Sequence, residues 1–435
     1  MSDARAVRWD GALYLIAAAV AGFAATWDGI PLQRTWGQIA FSPYLLGASS
    51  AFTLAAAWPR LSPRFRTRAR IAIGVAVLIG AAAAPLTLEV RWRDRNGYRG
   101  HVQSEVLVVE ASSETLLSGS NPYASSFASG PLGSWPPGTA EHVPYLPGMF
   151  LFGVPRALAG EGPWTDARIA FAVVTVAAVA AALRLARPPP GHALTAAIVL
   201  VALPIGARYM AGGGGDVTVL SLMLLSLVLM QRRQALGAGL VAGVAAIMKQ
   251  TAWPLLPFLV VAARDREGRP ATRRALAGIA AVVLPTVLPF ALSDPRALIE
   301  DVVLFPLGLA EDPTLAASPT IGHLLATVFP DAAVAAAAML LVLAVGVAML
   351  LLATPADARG AAQRAAVVSA LAVLLATAGR YGYLVYPIGL LVWGRLILVP
   401  ARGEPGTVRV ESGVAGDGAF AGLASRTSRP ARVPE

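Results

Sequence analysis

The sequence predicts an all-α integral membrane protein whose chain crosses the bilayer many times. Of its 435 residues, 56% are hydrophobic and only 14% are charged, whereas soluble chains have roughly 25% charged residues. The apolar residues form long blocks such as Ile71–Leu86 and Ala333–Ala353, and blocks of about 17–25 residues suit a bilayer core. A large soluble protein would need helices with polar faces to meet water, and few helices here have one.

The distribution of arginine predicts how the chain is threaded. Cytoplasmic loops carry an excess of Lys and Arg, and the densest short loop is Pro59–Arg70, with five arginines. Placing this loop inside also places the arginine-rich loops near 184–187, 231–233 and 264–274 inside, and it makes both termini cytoplasmic. The threading predicts about twelve crossing helices, with a range of 10 to 13. They lie near residues 11–27, 41–57, 71–89, 166–186, 193–208, 216–230, 235–249, 252–263, 274–292, 333–353, 364–379 and 383–399.

The chain is predicted to have two parts, a membrane domain and a tail. Residues 1–400 are predicted to form the transmembrane domain, and the Gly-, Ser-, Arg- and Pro-rich residues 401–435 a disordered cytoplasmic tail. The longest non-cytoplasmic loop is Arg91–Thr165, and long loops between helices are usually functional. Its first arginines either anchor anionic lipid headgroups or form a phosphate-binding rim. They are Arg91, Arg93, Arg95 and Arg99.

Composition excludes several kinds of site. The chain has no cysteine, which excludes disulfides, thiolate metal sites and cysteine nucleophiles. Four scattered histidines argue against a zinc site. The net charge of +10 comes almost entirely from arginine, because Lys249 is the single lysine. We attribute this charge to topology and contact with membrane lipids rather than to nucleic-acid binding.

The long loop contains one short predicted helix, Glu105–Leu117, with the sequence EVLVVEASSETLL. Ser104 is expected to cap its start and Gly119 to end it. Its valines and leucines form an apolar face, with Glu110 on the other side, so the helix is expected to lie on the membrane surface. A predicted turn, Ser120-Asn121-Pro122-Tyr123, and the motif Tyr145-Leu146-Pro147 follow.

These motifs resemble the GT-C superfamily of membrane glycosyltransferases. The similarity is greatest to the family 87-like enzymes of actinobacteria, which include polyprenyl-phosphate-mannose-dependent mannosyltransferases. Those proteins carry an acidic residue early in the first outer loop, a juxtamembrane helix, a pattern like LLxGxNPY, and later YxP. Here residues 116–123 read LLSGSNPY. The resemblance spans roughly residues 90–390 and continues in Gly212–Asp216, Gly239–Pro254, Phe305–Gly308 and Arg380–Tyr383.

The resemblance implies an inverting, metal-independent reaction without a cofactor, in which a loop carboxylate acts as general base. The family usually has Asp about eighteen positions before the Tyr of NPY, and this position is Glu105. Because Glu replaces Asp, both Glu105 and Glu110 stay open as the base. The structural alternatives are charge matching at the helix N-terminus for Glu105 and a solvated helix face for Glu110.

Transfer from a lipid-linked sugar also needs cationic groups that hold the departing phosphate. Lys249 is expected at the outer end of a membrane helix, where an ionisable group is usually functional, although it could instead snorkel to the interface. Asp216 either contacts substrate or caps a helix. The predicted phosphate-binding residues are Lys249, Arg208, Arg380 and Arg99. The predicted substrate or loop contacts are Asn121, Tyr123, Tyr145, Asp216 and His323.

The leading hypothesis is a glycosyltransferase that moves a sugar from a polyprenyl-phosphate donor to a lipid-linked or cell-envelope glycan acceptor. The active site would face the non-cytoplasmic side, and mannose follows from the resemblance alone. The alternative is a secondary transporter or flippase, which tends to show inverted repeats and ionisable groups near the midplane. No convincing repeat is found, and the ionisable groups cluster at one face. A non-catalytic membrane scaffold is the third hypothesis.

Overall fold

The computed structural model describes residues 3–96, 101–312, 314–329, 333–354 and 356–398. This part of the chain is almost entirely helical and contains no β-strand, only one isolated bridge. The α-helices, in chain order, are α1 (Asp3–Trp27), α2 (Pro31–Ala57), α3 (Pro63–Leu78), α4 (Ala84–Asn96), α5 (Ser104–Leu117), α6 (Pro137–Glu141), α7 (Val154–Ala159), α8 (Ala167–Ala186), α9 (Pro190–Ala197), α10 (Pro204–Gly212), α11 (Asp216–Gln231), α12 (Ala235–Ala246), α13 (Leu255–Ser293), α14 (Pro295–Ile299), α15 (Ile321–Val328), α16 (Ala333–Leu352), α17 (Ala358–Leu375) and α18 (Val385–Leu396).

The all-α membrane architecture is confirmed by helix length and surface. Six helical stretches are long and apolar enough to cross a membrane, or seven if the bent pair α9–α10 is one span, and three shorter helices are also apolar. Large apolar side chains such as Phe23, Leu46 and Leu350 are between 65% and 74% exposed. Such faces suit a lipid surrounding. The total number of crossings stays a prediction.

Several long helices contain breaks that have local causes. A π turn, Ile79–Ala83, joins α3 to α4, and a second, Ile198–Ala202, precedes the 48° bend before α10. Helix α13 breaks at Gly268, whose φ of 73° is easily adopted only by glycine. This break lies inside the arginine-rich stretch at which the sequence predicted a loop between two helices.

Helix α2 fastens both π turns to the bundle. The indole of Trp36 donates to the carbonyl of Ala81 at 3.0 Å, and the Tyr44 hydroxyl donates to the carbonyl of Ala202. Both aromatic residues are completely buried, so α2 fixes the start of α4 and of α10, the helices that follow these two turns.

The structure corrects two expectations about that connection. Helix α4 continues to Asn96, so Arg91, Arg93 and Arg95 are helical residues rather than loop residues. Helix α5 ends at the predicted residue, Leu117, but Ser104 is its first residue and gives no side-chain cap. Arg99 and the predicted tail, residues 401–435, lie outside the described residues.

Helix α5 is also not a membrane-surface helix. Val106 and Val109 are completely buried, and Glu110 is only 8% exposed. The helix packs against α7 and α8, because its apolar face finds protein neighbours instead of lipid. Its end is as predicted: Gly119 has a φ of 85°, and Ser120 N donates to Thr115 O at 3.1 Å.

Candidate active site

A cavity of about 420 Å³ lies where the α4–α8 connection meets the helical bundle. Side chains from both parts line it, which brings together chain segments more than 200 residues apart. On the polar side are Glu105, His142, Tyr145, Asp216, Lys249 and Arg380. The apolar part, which we call the apolar arm, is formed by Trp253, Leu341, Ala372, Val373 and Ala376. Leu341 lies on α16, Ala372 and Val373 lie on α17, and Ala376 directly follows α17.

Lys249 and two carboxylates form the charged centre of the cavity. The Lys249 Nζ lies 2.8 Å from Glu105 Oε1 and 3.2 Å from Asp216 Oδ2. Glu105 Oε1 also accepts a 2.7 Å hydrogen bond from Gly215 N. All three side chains are buried or nearly so, and an ion pair removed from water needs such additional bonds.

The second oxygen of Glu105, Oε2, has no hydrogen-bond partner among the residues that the structure describes. Because Glu105 lines the cavity, this oxygen is the available acceptor at its charged centre. Burial raises the pKa of Glu105, and Lys249 and the Gly215 N–H only partly oppose that shift. The arrangement leaves a fixed carboxylate with one occupied and one available oxygen.

Asp216 is held by a chain of hydroxyl groups. The Tyr386 hydroxyl donates to Asp216 Oδ1 at 2.8 Å and accepts from Thr251 Oγ1 at 2.7 Å. Asp216 is the first residue of α11 and its side chain does not cap the helix; the N-cap residue is Gly215. The carboxylate therefore fixes Lys249 instead of a helix start.

The motif residues of the α4–α8 connection position the end of α12. Tyr123 N is bonded to the side chain of Asn121 at 3.1 Å, and the Tyr123 hydroxyl donates to Tyr145 O at 2.8 Å. Leu146 N then donates to Met248 O at 3.1 Å, next to Lys249. The Lys249 Nζ lies 5.3 Å from the centroid of the Tyr145 ring. Tyr145 thus lines the cavity. Asn121 and Tyr123 do not line it, but their hydrogen bonds position Tyr145.

Arg380 is the second cation that lines the cavity. No hydrogen bond or ion pair joins its guanidinium to another side chain within the described ranges. Burial lowers the pKa of Arg380, but neighbouring groups, Tyr383 first among them, raise it more, so the group stays charged. An unpaired guanidinium in a cavity is suited to bind an anion, because its donors match phosphate or carboxylate oxygens.

Glu110, the other candidate base, lies in a different ion-pair network. Both of its carboxylate oxygens bind the guanidinium of Arg93, at 3.0 and 2.5 Å, and Ala167 N donates to it at 3.1 Å. Arg93 also binds Asp166, at 2.7 Å. Burial alone would raise the pKa of Asp166, but Arg168 and Arg93 lower it to about 2. Glu110 does not line the cavity, and its contacts fasten α5 to α4 and α8.

Two other predicted site residues also lie away from the cavity lining. Arg208 binds Asp28 at 3.3 Å and the Tyr209 hydroxyl at 3.0 Å. His323 Nδ1 lies 3.0 Å from Thr377 O, where it joins α15 to the segment that follows α17. Arg208 and His323 thus have partners within the protein.

Sequence reasoning missed several residues of the cavity. His142 lies 2.7 Å from Asp301, although 159 positions separate the two residues. Tyr386 is buried and donates to Asp216. Gln250 and Thr251 directly follow Lys249 within the segment Gly239–Pro254, and this adjacency is a sequence signal that could have found them.

Comparison with known proteins identifies the family. The model of glycosyltransferase family 87 matches residues 144–378, which is more than half of the chain. The match includes Tyr145, Asp216 and Lys249 but begins after Glu105 and Glu110. No curated protein and no solved structure matches the sequence. The matched segment carries most of the cavity's charged centre and its apolar arm, and the chain belongs to glycosyltransferase family 87, a family of membrane enzymes.

Proposed function

We propose that this glycosyltransferase moves a sugar, mannose in the first instance, from a polyprenyl-phosphate donor to a lipid-linked or cell-envelope glycan acceptor. The reaction takes place on the non-cytoplasmic side of the membrane and inverts the anomeric carbon. One observation carries the proposal: a carboxylate with an available oxygen, Glu105 Oε2, lies beside two cations in a cavity that also has an apolar arm.

Glu105 acts as the general base in this proposal. Its Oε2 takes the proton of the acceptor hydroxyl while the acceptor oxygen forms a bond to the anomeric carbon of the donor. The bond between that carbon and the phosphate oxygen breaks, and its electron pair leaves with the polyprenyl phosphate. Lys249 and Gly215 N hold Oε1, so only Oε2 can approach the acceptor without losing a contact.

Arg380 and Lys249 stabilise the charge on the departing phosphate. Arg380 offers unpaired donors, and Lys249 adds a point charge that Glu105 and Asp216 already hold in place. Charged donors fixed in advance stabilise charge that develops in a transition state. The apolar arm contains Leu341 and Val373 of the membrane helices α16 and α17, and such a surface fits the hydrocarbon chain of the donor.

A direct assay tests this proposal. Purified protein is incubated with radiolabelled polyprenyl-phosphate mannose and a total lipid extract of the source membranes, and labelled products are identified by mass spectrometry. We expect a mannosylated lipid or lipid-linked glycan. Polyprenyl-phosphate arabinose run in parallel tests the choice of sugar. Absence of transfer from either donor would reject the polyprenyl-phosphate mechanism.

The same assay separates the two carboxylates. Glu105→Gln keeps the size of the side chain but removes the proton acceptor, so kcat should fall about 10²- to 10⁴-fold while the donor still binds. Glu110→Gln should instead lower the melting temperature, because it weakens a buried bond to Arg93. Loss of turnover in folded Glu110→Gln, with near-normal turnover in Glu105→Gln, would make Glu110 the base.

The pH dependence of kcat provides a second readout for Glu105. The base must be ionised, and burial raises the pKa of Glu105 above its ordinary value of 4.5. The rate should therefore fall as the pH decreases through that raised pKa, and the acid limb of the profile should lie above pH 4.5. An acid limb at or below that value would contradict a buried carboxylate as the base.

A further inference from the structure

A second polar group reaches the cavity through His142, which is its one member among the lining residues, and the transfer step above does not use it. It consists of His142, Asp301 and Asp312, and we call it the His142 group. His142 Nδ1 lies 2.7 Å from Asp301 Oδ1, and Asp301 Oδ2 accepts from Val143 N at 2.9 Å. The imidazole stacks on Phe305, with ring centroids 4.4 Å apart. These contacts fix the ring orientation and favour the tautomer in which Nδ1 carries the proton toward Asp301.

In this tautomer the other ring nitrogen, Nε2, is an acceptor. Asp312 Oδ2 lies 3.5 Å from it, which is longer than an ordinary N–H···O hydrogen bond. The Asp312 side chain is 39% exposed, in contrast to 4% for Asp301. In this tautomer two acceptors therefore face each other, and no residue that the structure describes places a donor between them. A ligand that brings two O–H groups satisfies both, whereas a phosphate diester, which only accepts, satisfies neither.

We propose that the His142 group binds neighbouring hydroxyls of a sugar substrate and that His142 is a specificity-determining residue. One hydroxyl of a vicinal diol donates to His142 Nε2 and the next donates to Asp312. This inference rests on the proposed function, since it assigns a sugar to the same cavity. Both the donor sugar and a glycan acceptor carry such diols, and the experiment below distinguishes them.

The position of the His142 group relative to the charged centre is fixed by Gln250. This residue directly follows Lys249, and its Nε2 donates to Pro144 O at 3.2 Å and to Val302 O at 2.5 Å. Pro144 lies two residues after His142, and Val302 directly follows Asp301. A sugar bound at the His142 group is therefore held at a constant distance from Glu105. Such fixed positioning of the reacting groups favours the transition state.

A purely structural role for His142 would be to fasten its segment to Asp301. Two substitutions separate the roles, because the amide group of Asn can place a donor nitrogen near the position of Nδ1 and that of Gln can place an acceptor oxygen near the position of Nε2. His142→Asn keeps the bond to Asp301 but removes the atom that faces Asp312. His142→Gln keeps a polar atom there but loses the bond to Asp301.

The test uses the purified full-length chain with labelled polyprenyl-phosphate mannose and the total lipid extract, each titrated in turn. We expect His142→Asn to raise the half-saturating concentration of one substrate about tenfold at an unchanged melting temperature. A higher half-saturating concentration of the lipid extract assigns the diol to the acceptor. A higher half-saturating concentration of the donor assigns it to the donor sugar. His142→Gln should retain more affinity than His142→Asn and melt at a lower temperature.

His101→Asn is the matched control. His101 Nδ1 also binds a buried carboxylate, Glu89, at 2.8 Å, but His101 does not line the cavity, so both half-saturating concentrations should stay at the wild-type values. Wild-type values for both substrates in His142→Asn would overturn the inference.

A binding arm distinguishes this failure from failure of the proposed function. If the wild type transfers no sugar, binding of tritiated n-octyl α-D-mannopyranoside to protein in nanodiscs is compared between wild type and His142→Asn. Weaker binding by the variant supports the diol site although the transfer proposal fails. Equal binding rejects the diol site.

Discussion

Lys249 forms ion pairs with two buried carboxylates. Its substitution therefore affects stability as well as substrate binding. From the sequence alone, Lys249→Met is expected to weaken donor use more than it disturbs folding. In the structure, its ammonium is paired with both Glu105 and Asp216. Removal of one partner of a buried ion pair typically costs about 3–5 kcal/mol. Lys249→Met should therefore lower the melting temperature together with the activity, and it is a poor probe of phosphate binding.

Arg380 is the better residue for that question. Arg380→Gln removes a cation from the cavity without breaking an ion pair of the described chain. A hydrogen bond to a charged group contributes about 1.5–3 kcal/mol, so the half-saturating donor concentration should rise at least tenfold at an unchanged melting temperature. The matched control is Arg208→Gln, whose arginine binds Asp28 instead. Equal donor use by both variants would remove Arg380 from the phosphate site.

Glycines set the separation of the helices that present Lys249. A Cβ atom on Gly239 of α12 would lie 2.2 Å from Ala275 O of α13, and one on Gly278 of α13 would lie 2.5 Å from Leu236 O. Small residues at such crossings let two helix backbones approach closely. The close approach of α12 and α13 thus fixes the end of α12 that precedes Lys249.

This packing predicts a distinct effect of a larger side chain. Gly239→Leu should separate α12 from α13, and overpacking of this kind costs about 1–3 kcal/mol or more. We expect a lower melting temperature in detergent and reduced transfer activity, because the turn with Lys249 moves. Gly346→Leu on α16 is the control, since nothing lies within 4 Å of the added Cβ there. Equal melting of the two variants would contradict a packing role for Gly239.

The whole-molecule prediction concerns which side of the membrane the cavity faces. The absence of cysteine allows single cysteines to be introduced without background. Ser118→Cys and Ser129→Cys, both exposed in the α4–α8 connection, should react with a membrane-impermeant thiol reagent in intact cells. Arg64→Cys, exposed at the start of α3, should react only after the cells are opened. The opposite pattern would invert the threading and place the cavity on the cytoplasmic side.

The sequence by itself determined the all-α membrane architecture, because helix length and apolar composition are local properties that do not depend on the partners of a helix. Helix α5 and its end at Gly119 were predictable for the same reason. The resemblance to family 87 was also visible in short motifs, and the family match confirms it. Lys249 stood out as the single lysine in a chain rich in arginine.

Only the tertiary structure decided which carboxylate lies in the cavity. Glu105 and Glu110 are five positions apart on one helix, so about 140° separates them, and the packing of α5 directs one to Lys249 and the other to Arg93. No sequence pattern specifies the rotation of a helix that is buried on nearly all sides. The pairing of His142 with Asp301 could not be predicted from the sequence either. The two residues are 159 positions apart, and they meet only when the α4–α8 connection folds onto the bundle.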